Sequence, residues 1–424
     1  METKFIQRNR KIGALKFLEL LFSQPANITK NSLTSLCSIL DDSGLAISKQ
    51  GLDKKFNENT VAFLKQIYLL LFEAQSKQAS HKAFVKSTIN FQSLRILDGT
   101  SIKLPPAFEH IYPGTVGSAV KCQLEFDYLT GKFMFVEIQA GKAGDSASGM
   151  KRLKTVQKSD LVLQDLGYFQ YDLFKEGNKK EAFYVSRARS DTMFYVDHPN
   201  PRYHKNGDII KKYAHERLYL EEELKKMKRG ETREYSKVFL GKHERLPTRL
   251  VVYRMTYDEQ KQQEMRIKRR KQKKPGKIKQ KSYDVASIST YVTNLPSEVP
   301  VEEIVELYRY RWQVELIFKS WKTDMDVDYY REMKLERWEC HFYAELILLL
   351  LSMLITFQLR IYFWKVEGII LSEQITMREV SKRIWKLWQA RDALDWDQTI
   401  NKLIKMLARI GRKNVKSPIQ FAGQ

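Results

Sequence analysis

The apolar residues change period near residue 90, and that change narrows the possible folds more than any composition figure. Before it the spacing is helical. Lys11 to Phe22 carries Ile12, Leu15, Leu18, Leu20, Leu21 and Phe22 at helical intervals, and Val61 to Phe72 repeats the pattern with Phe63, Leu64, Ile67, Leu69, Leu70 and Leu71. Between them, Asn31 to Leu40 places Leu33, Leu36, Cys37 and Leu40 on one face, and Asp41-Asp42-Ser43-Gly44 stops that helix. Ser48 is an N-cap candidate for a second helix, KQGLDKKF, with Leu52 and Phe56 inward. This layout predicts a helix-turn-helix that turns Lys49, Gln50, Lys54 and Lys55 outward toward phosphates and base edges. A plain helical hairpin with a solvated basic face fits the same residues.

Beyond residue 90, strands and helices alternate. Leu94 to Leu97 leads into Asp98-Gly99-Thr100, and Cys122 to Tyr128 and Phe133 to Gln139 flank a turn that contains Gly131, which predicts a hairpin. A small-residue loop from Gly141 to Gly149 opens a helix expected over Met150 to Gln157. Asp160 to Gly167 reads as a short buried strand ending on Asp165, Tyr171 to Lys179 as a helix, and Ala182 to Arg187 as another strand. Acids at the ends of strands interleaved with helices predict an α/β sheet with a site along one strand-end edge.

Residues 191 to 283 differ in kind. Strands are expected at Lys237 to Leu240 and Arg249 to Thr256. Arg266 to Lys281 is a basic block containing Arg269, Arg270 and Lys271, broken by Pro275-Gly276 and expected to be a solvated loop that touches phosphates. Tyr283 to Thr293 returns to strand character. The remainder is helical, ending in a surface of Ile384, Trp385, Trp388 and Leu394 suited to a core or a dimer.

At 424 residues the chain exceeds one ordinary core, and 43% hydrophobic with 12% aromatic residues excludes a disordered chain. The 73 Lys and Arg outnumber the 50 Asp and Glu, and a formal charge of +23 selects a polyanionic partner, either nucleic acid or an anionic membrane. Cys37, Cys122 and Cys340 form no CxxC pair, so neither a disulfide framework nor a zinc knuckle is expected, and a cytoplasmic location fits. The first residues lack the apolar stretch of a secretory signal. The apolar run Leu346 to Phe357 is shorter than the ~20 residues of a bilayer span, so a core helix is expected and a membrane is not.

His215-Glu216 and His243-Glu244 begin like a zinc-protease HExxH, but Tyr219 and Pro247 stand where the second histidine belongs. Three acids remain for metal work: Asp98, Asp165 and a glutamate on the helix expected from Val301. At about 100° per residue, Arg311, Glu315 and Lys322 fall at roughly −60°, −20° and −40° from Tyr308, one narrow stripe beside an apolar face of Leu307, Val314, Phe318 and Trp321. Such a group suits phosphoryl transfer on a nucleic acid, in which carboxylates hold Mg²⁺ and Tyr, Arg and Lys grip adjacent phosphates. Asp127 and Asp160 are alternative acids, and Arg311 with Glu315 also has the spacing of a surface salt bridge.

Tyr308-x2-Arg311-x3-Glu315-x6-Lys322 resembles, without a gap, the YREK signature of bacterial DDE transposases of the insertion-sequence-four family, and ILDGTSI around Asp98 and DLVLQDLGYF around Asp165 resemble its two aspartate strands. The resemblance covers roughly residues 30 to 360. It implies an α/β ribonuclease-H-like core interrupted by a β-rich insertion, with catalytic metal ligands Asp98, Asp165 and Glu315. Two Mg²⁺, with Mn²⁺ able to substitute, and phosphate contacts from Tyr308, Arg311 and Lys322 are implied with them. The expected domains are 1–88 (helical, DNA-binding), 89–190 and 284–372 (catalytic core), 191–283 (insertion) and 373–424 (helical, for dimerisation or DNA contact). The implied activity is cut-and-paste transposition by a homodimer on double-stranded DNA, with a silent DNA-binding repressor and a ribonuclease-H-like nuclease as alternatives. The pattern departs from the family at one point. The seven tryptophans, Trp312, Trp321, Trp338, Trp364, Trp385, Trp388 and Trp396, all lie outside the insertion, so a base-stacking role there would fall to Tyr or Phe.

Overall fold

The computed structural model describes residues 3–5, 12–23, 31–75, 85, 87–189, 191–273, 287–324, 332–390 and 394–413. The chain opens with helices α1 (Ala14–Phe22), α2 (Leu33–Asp42), α3 (Lys49–Asp53) and α4 (Glu58–Ala74). Their starts are written in the sequence. Ser32 Oγ accepts from Ser35 N at 3.0 Å, Ser48 Oγ from Gly51 N at 3.1 Å and Asn57 Oδ1 from Thr60 N at 3.1 Å, each satisfying a first-turn amide. The strands and helices that follow are β1 (Leu94–Lys103), β2 (Ala119–Asp127), β3 (Phe133–Ala140), α5 (Asp145–Arg152), β4 (Leu161–Gln164), α6 (Tyr171–Lys179) and β5 (Phe183–Arg187). Then come β6 (Phe194–Asp197), β7 (His215–Leu218), α7 (Leu220–Lys226), β8 (Thr232–Leu240), β9 (Leu246–Arg254), α8 (Tyr257–Lys273) and β10 (Ile288–Thr293). The chain closes with α9 (Val301–Arg309), α10 (Gln313–Asp324), α11 (Leu335–Glu367), α12 (Glu373–Ser381), α13 (Ile384–Gln389) and α14 (Leu394–Ile410).

Two compact units result. The first comprises Met1–Lys86, Asp98–Gly144 and Trp312–Gln424. Within it the β2–β3 hairpin turns at Gly131, whose φ is +74° and whose missing side chain leaves room for the Phe357 ring. Asp127 shapes the same turn, its carboxylate accepting from Leu129 N and Thr130 Oγ1. The 33-residue α11 packs against α4 and α12, and Leu359, Phe363, Leu371, Val380, Leu387, Leu403 and Leu407 form a core among the last helices. The C-terminal surface expected to serve a core or a dimer thus contributes Ile384 to the interior.

The second unit comprises Ser87–Leu97 and Asp145–Arg311. Its strands run in the order β1-β4-β5-β10-β9-β8-β6-β7. The first three are parallel and the rest antiparallel. Buried Arg95 donates to Asp160 at 2.9 Å and to Thr155 O at 2.7 Å, and Ser93 Oγ donates to the other Asp160 oxygen at 2.6 Å. These bonds tie the start of β4 to β1.

Several sequence expectations are corrected. Helix α3 stops at Asp53, not at Phe56, because the cap of α4 takes over the chain at Asn57. Leu15, Leu69 and Leu70 are exposed, since α1 and α4 hold more apolar residues than one face can bury. Helix α5 begins at Asp145, inside the stretch expected to be a loop. Asp98 lies within β1 and does not end it. The basic block begins on α8, a helix, and its residues 274–281 lie outside the described residues. The helix expected to run unbroken from Val301 is divided by a 3₁₀ turn over Tyr310–Trp312. The apolar run at Leu346 belongs to a helix that is long and apolar enough to cross a membrane by length and composition, with 72% of its most apolar stretch buried inside the protein.

His341 on α11 is fully buried, accepts from Arg337 Nε at 3.2 Å and packs against the Phe56 ring. Burial, helped by the Arg337 charge, lowers its pKa to about 3. The folded protein therefore refuses a proton that the unfolded chain takes below the ordinary histidine pKa of 6.5, and stability must fall as the pH drops from 6.5 toward 3. We expect the urea midpoint to fall between pH 6.5 and pH 5, and His341→Gln to flatten that fall. Equal slopes for both proteins would contradict it.

Candidate active site

In the second unit, Asp165 follows β4 and precedes a 3₁₀ turn over Leu166–Tyr168, which it flanks without a side-chain cap bond. Its carboxylate is 41% exposed and sits 4.0 Å from Arg311 Nε, while the Arg311 side chain is only 11% exposed. Tyr308 packs edge-on against Tyr291, and burial pushes its phenol pKa well up, with the charges of Arg311, Asp165 and Arg187 also acting on it. Its buried hydroxyl has no hydrogen-bond partner among the described residues. Arg187 escaped sequence reading. The β4–β5 pairs run from Leu161↔Phe183 to Gln164↔Ser186, and one more step of that register sets Arg187 abreast of Asp165. A cation ending a strand parallel to the one that ends in the acid was the available signal.

In the first unit, Asp98 Oδ1 accepts from Gly99 N at 2.8 Å. A side chain at position 99 would come within 2.8 Å of Gln123 Oε1, so glycine there lets the buried Gln123 amide lie under the backbone beside Asp98. Glu315 stands in the first turn of α10, and Lys322, seven residues on and so on the same face, donates from Nζ to Ser101 O at 2.8 Å. The residues Leu307, Val314, Phe318 and Trp321 are all buried, as their spacing implied. The 3₁₀ turn nevertheless advances each residue by about 120°, not 100°, so the stripe calculated from Tyr308 does not run in one phase to Lys322.

The alternative acids belong to the scaffold. Asp160 is held by Arg95 and Ser93, and Asp127 by the hairpin turn. The remaining carboxylates are hard oxygen donors, and the exposed Asp165 is open to a hydrated ion, which suits Mg²⁺. Among the described residues, no three His, Cys, Asp or Glu gather as a ready-made metal cage. Mg²⁺ needs none, because it keeps water ligands and completes its shell with substrate phosphate.

Of the residues expected to meet DNA, Lys49, Gln50 and Lys54 are exposed. Lys55 is partly buried instead, donating from Nζ to Ile12 O at 3.3 Å beside the Phe5 ring. Arg269, Arg270 and Lys271 lie on α8, with side chains outside the described residues. Residues 191–283, expected to be an insertion, hold no tryptophan, and among their described residues arginines stack on tyrosines, Arg202 on Tyr213 at 4.4 Å, Arg217 on Tyr219 at 4.8 Å and Arg229 on Tyr257 at 4.6 Å.

In this mixed α/β chain one exposed acid, Asp165, stands with Arg311 at the end of a parallel strand. Residues 89–351 match the family described as transposase DDE domain. The chain is 32% identical over 422 residues to the transposase for insertion sequence element IS231F of Bacillus thuringiensis subsp. israelensis, covering 97% of this chain and 88% of that one. It is 32% identical over 366 residues to the transposase for insertion sequence element IS1151 of Clostridium perfringens, covering 84% and 76%. A solved piggyBac transposase synaptic complex with hairpin DNA superposes with a TM-score of 0.46 at 10% identity over 98% of this chain and 81% of that one, too loosely to assign anything here. The chain belongs to the DDE transposase family, and it is an enzyme of that class.

Scaffold and site aspartates should separate in stability. Asp160→Ala strands the buried Arg95 and should cost about 3–5 kcal/mol, whereas Asp165→Ala, at an exposed carboxylate, should stay within about 0.5 kcal/mol of the parent. Denaturant unfolding of both variants checks this, and a large loss for Asp165→Ala would assign that residue to the scaffold.

Proposed function

We propose that this transposase binds the terminal inverted repeats of an insertion sequence, cleaves DNA at the element ends and joins the 3′-OH ends to target DNA. The observation that carries the reading is the group at the end of β4: an exposed carboxylate, Asp165, beside Arg311, Arg187 and the buried, unpartnered Tyr308 hydroxyl. Asp98, Asp165 and Glu315 would hold Mg²⁺. When bound, Mg²⁺ supplies activation of the attacking oxygen and stabilisation of the leaving one, and Mn²⁺ substitutes.

The chain's own residues bind and orient the DNA. The Arg311 guanidinium offers its planar fork to a phosphate, Tyr308 would add its hydroxyl as a donor once DNA binding uncovers it, and Lys322 exchanges its bond to Ser101 O for a phosphate oxygen. In this reading residues 1–88 recognise the element ends through Lys49, Gln50 and Lys54, and residues 191–283, with Arg269, Arg270 and Lys271, follow the flanking duplex. Residues 89–190 and 284–372 form a ribonuclease-H-like core, and 373–424 joins two copies into the paired-end complex.

Asp98→Ala, Asp165→Ala and Glu315→Ala should each lower Mg²⁺-dependent cleavage of element-end DNA by at least about a hundredfold, more than the loss of a partner behind a metal ligand. Full activity in any one removes that residue from the metal site. Affinity for the end DNA should fall linearly on a log–log plot against salt, and a flat response would contradict phosphate-dominated binding.

A further inference from the structure

The proposed chemistry uses Glu315 and Lys322 of α10 but not the charge buried behind that helix. Glu373, the first residue of α12, accepts from Tyr128 Oη at 2.5 Å and Arg360 Nη2 at 2.7 Å, and Lys413 Nζ lies 3.1 Å from its second oxygen. Glu373 is 8% exposed, Arg360 is wholly enclosed with its guanidinium over the Phe357 ring, and Lys413 is half-buried. Four segments meet at one carboxylate: the end of β2, α11, the start of α12 and the chain beyond α14.

Helix α12 in turn packs against α10. A small cavity separates them, lined by Gln313 and Ile317 of α10, Met353 and Thr356 of α11, and Tyr128 and Glu373 of the cluster. Gln313 Oε1 and Thr356 Oγ1 are buried there without a hydrogen-bond partner among the described residues. The cavity thus joins Glu373 to the first turn of α10, where Gln313 precedes Glu315 by two residues in sequence.

A buried cluster of this kind is weak evidence of a role in stability. Desolvating one carboxylate and two cations cancels most of their attraction, and apolar residues of the same volume commonly serve as well. What the charges add is direction, because each bond to Glu373 sets where its own segment lies. We infer that Glu373 is a positioning residue for Glu315, its cluster setting where α12 stands against α10 and hence where α10 presents Glu315 and Lys322. This rests on the reading of Glu315 as a metal ligand.

The test replaces the charges by apolar groups of similar size in the full chain, Arg360→Met with Glu373→Leu and Lys413→Met. The triple variant should melt within a few degrees of the parent and bind end DNA within about twofold, while amide exchange across Gln313–Asp324 quickens at least about tenfold and cleavage falls at least about tenfold. Exchange in α4 should not change. Unchanged exchange across α10, or cleavage within twofold of the parent, overturns the inference. If the triple variant does not fold, Tyr128→Phe removes one donor to Glu373 and no charge. Both readouts should then shift in the same direction by about threefold, and no shift in either overturns it. Glu315→Gln, run alongside, separates the two ideas. Full cleavage there ends the reading of Glu315, while the exchange data still decide what the cluster holds.

Discussion

The register of β4 depends on one buried ion pair. Arg95 and Asp160 are both enclosed, and Asp160 also accepts from Ser93 Oγ and Gln157 N, so its lone pairs are engaged by the start of β1 and by the chain leading into β4. β4 is buried on both faces, so a slip of one residue would leave a charge enclosed without its partner, which costs several kcal/mol. With β4 fixed, Asp165 must emerge at its end, and the parallel pairing with β5 must bring Arg187 alongside. The carboxylate proposed for the chemistry is placed by one that has no part in it.

The same division runs through the basic charge. A formal +23 suggests a surface made for polyanions, yet Arg95, Arg152 and Arg360 are wholly buried and belong to the scaffold. Lys55, read as a DNA contact, is turned inward. Arginine is suited to this double use because its weakly hydrated, planar fork tolerates burial better than an ammonium group does.

Where local chemistry decides, the sequence was legible. The Ser48 cap, the hairpin about Gly131, the helix over Tyr171–Lys179 and the strand before Asp165 all follow from side chains acting within a few residues of themselves. So does the burial of Leu307, Val314, Phe318 and Trp321. What escaped depends on distant partners. The 3₁₀ turn between α9 and α10 interrupts a sequence whose apolar spacing suits one continuous helix, and no residue in Tyr310–Trp312 announces it. Arg187 gains its meaning only from a strand pairing, and the Glu373 cluster from segments hundreds of residues apart in sequence.

Asp98, Asp165 and Glu315 are proposed to hold divalent metal together with substrate phosphate. Mn²⁺ binding followed by electron paramagnetic resonance, with and without element-end DNA, tests it most directly. The expected result is weak binding to the protein alone, at least about tenfold tighter binding with the DNA, and loss of that gain in Asp165→Asn. Binding that is indifferent to DNA, or that survives unchanged in the variant, would contradict it.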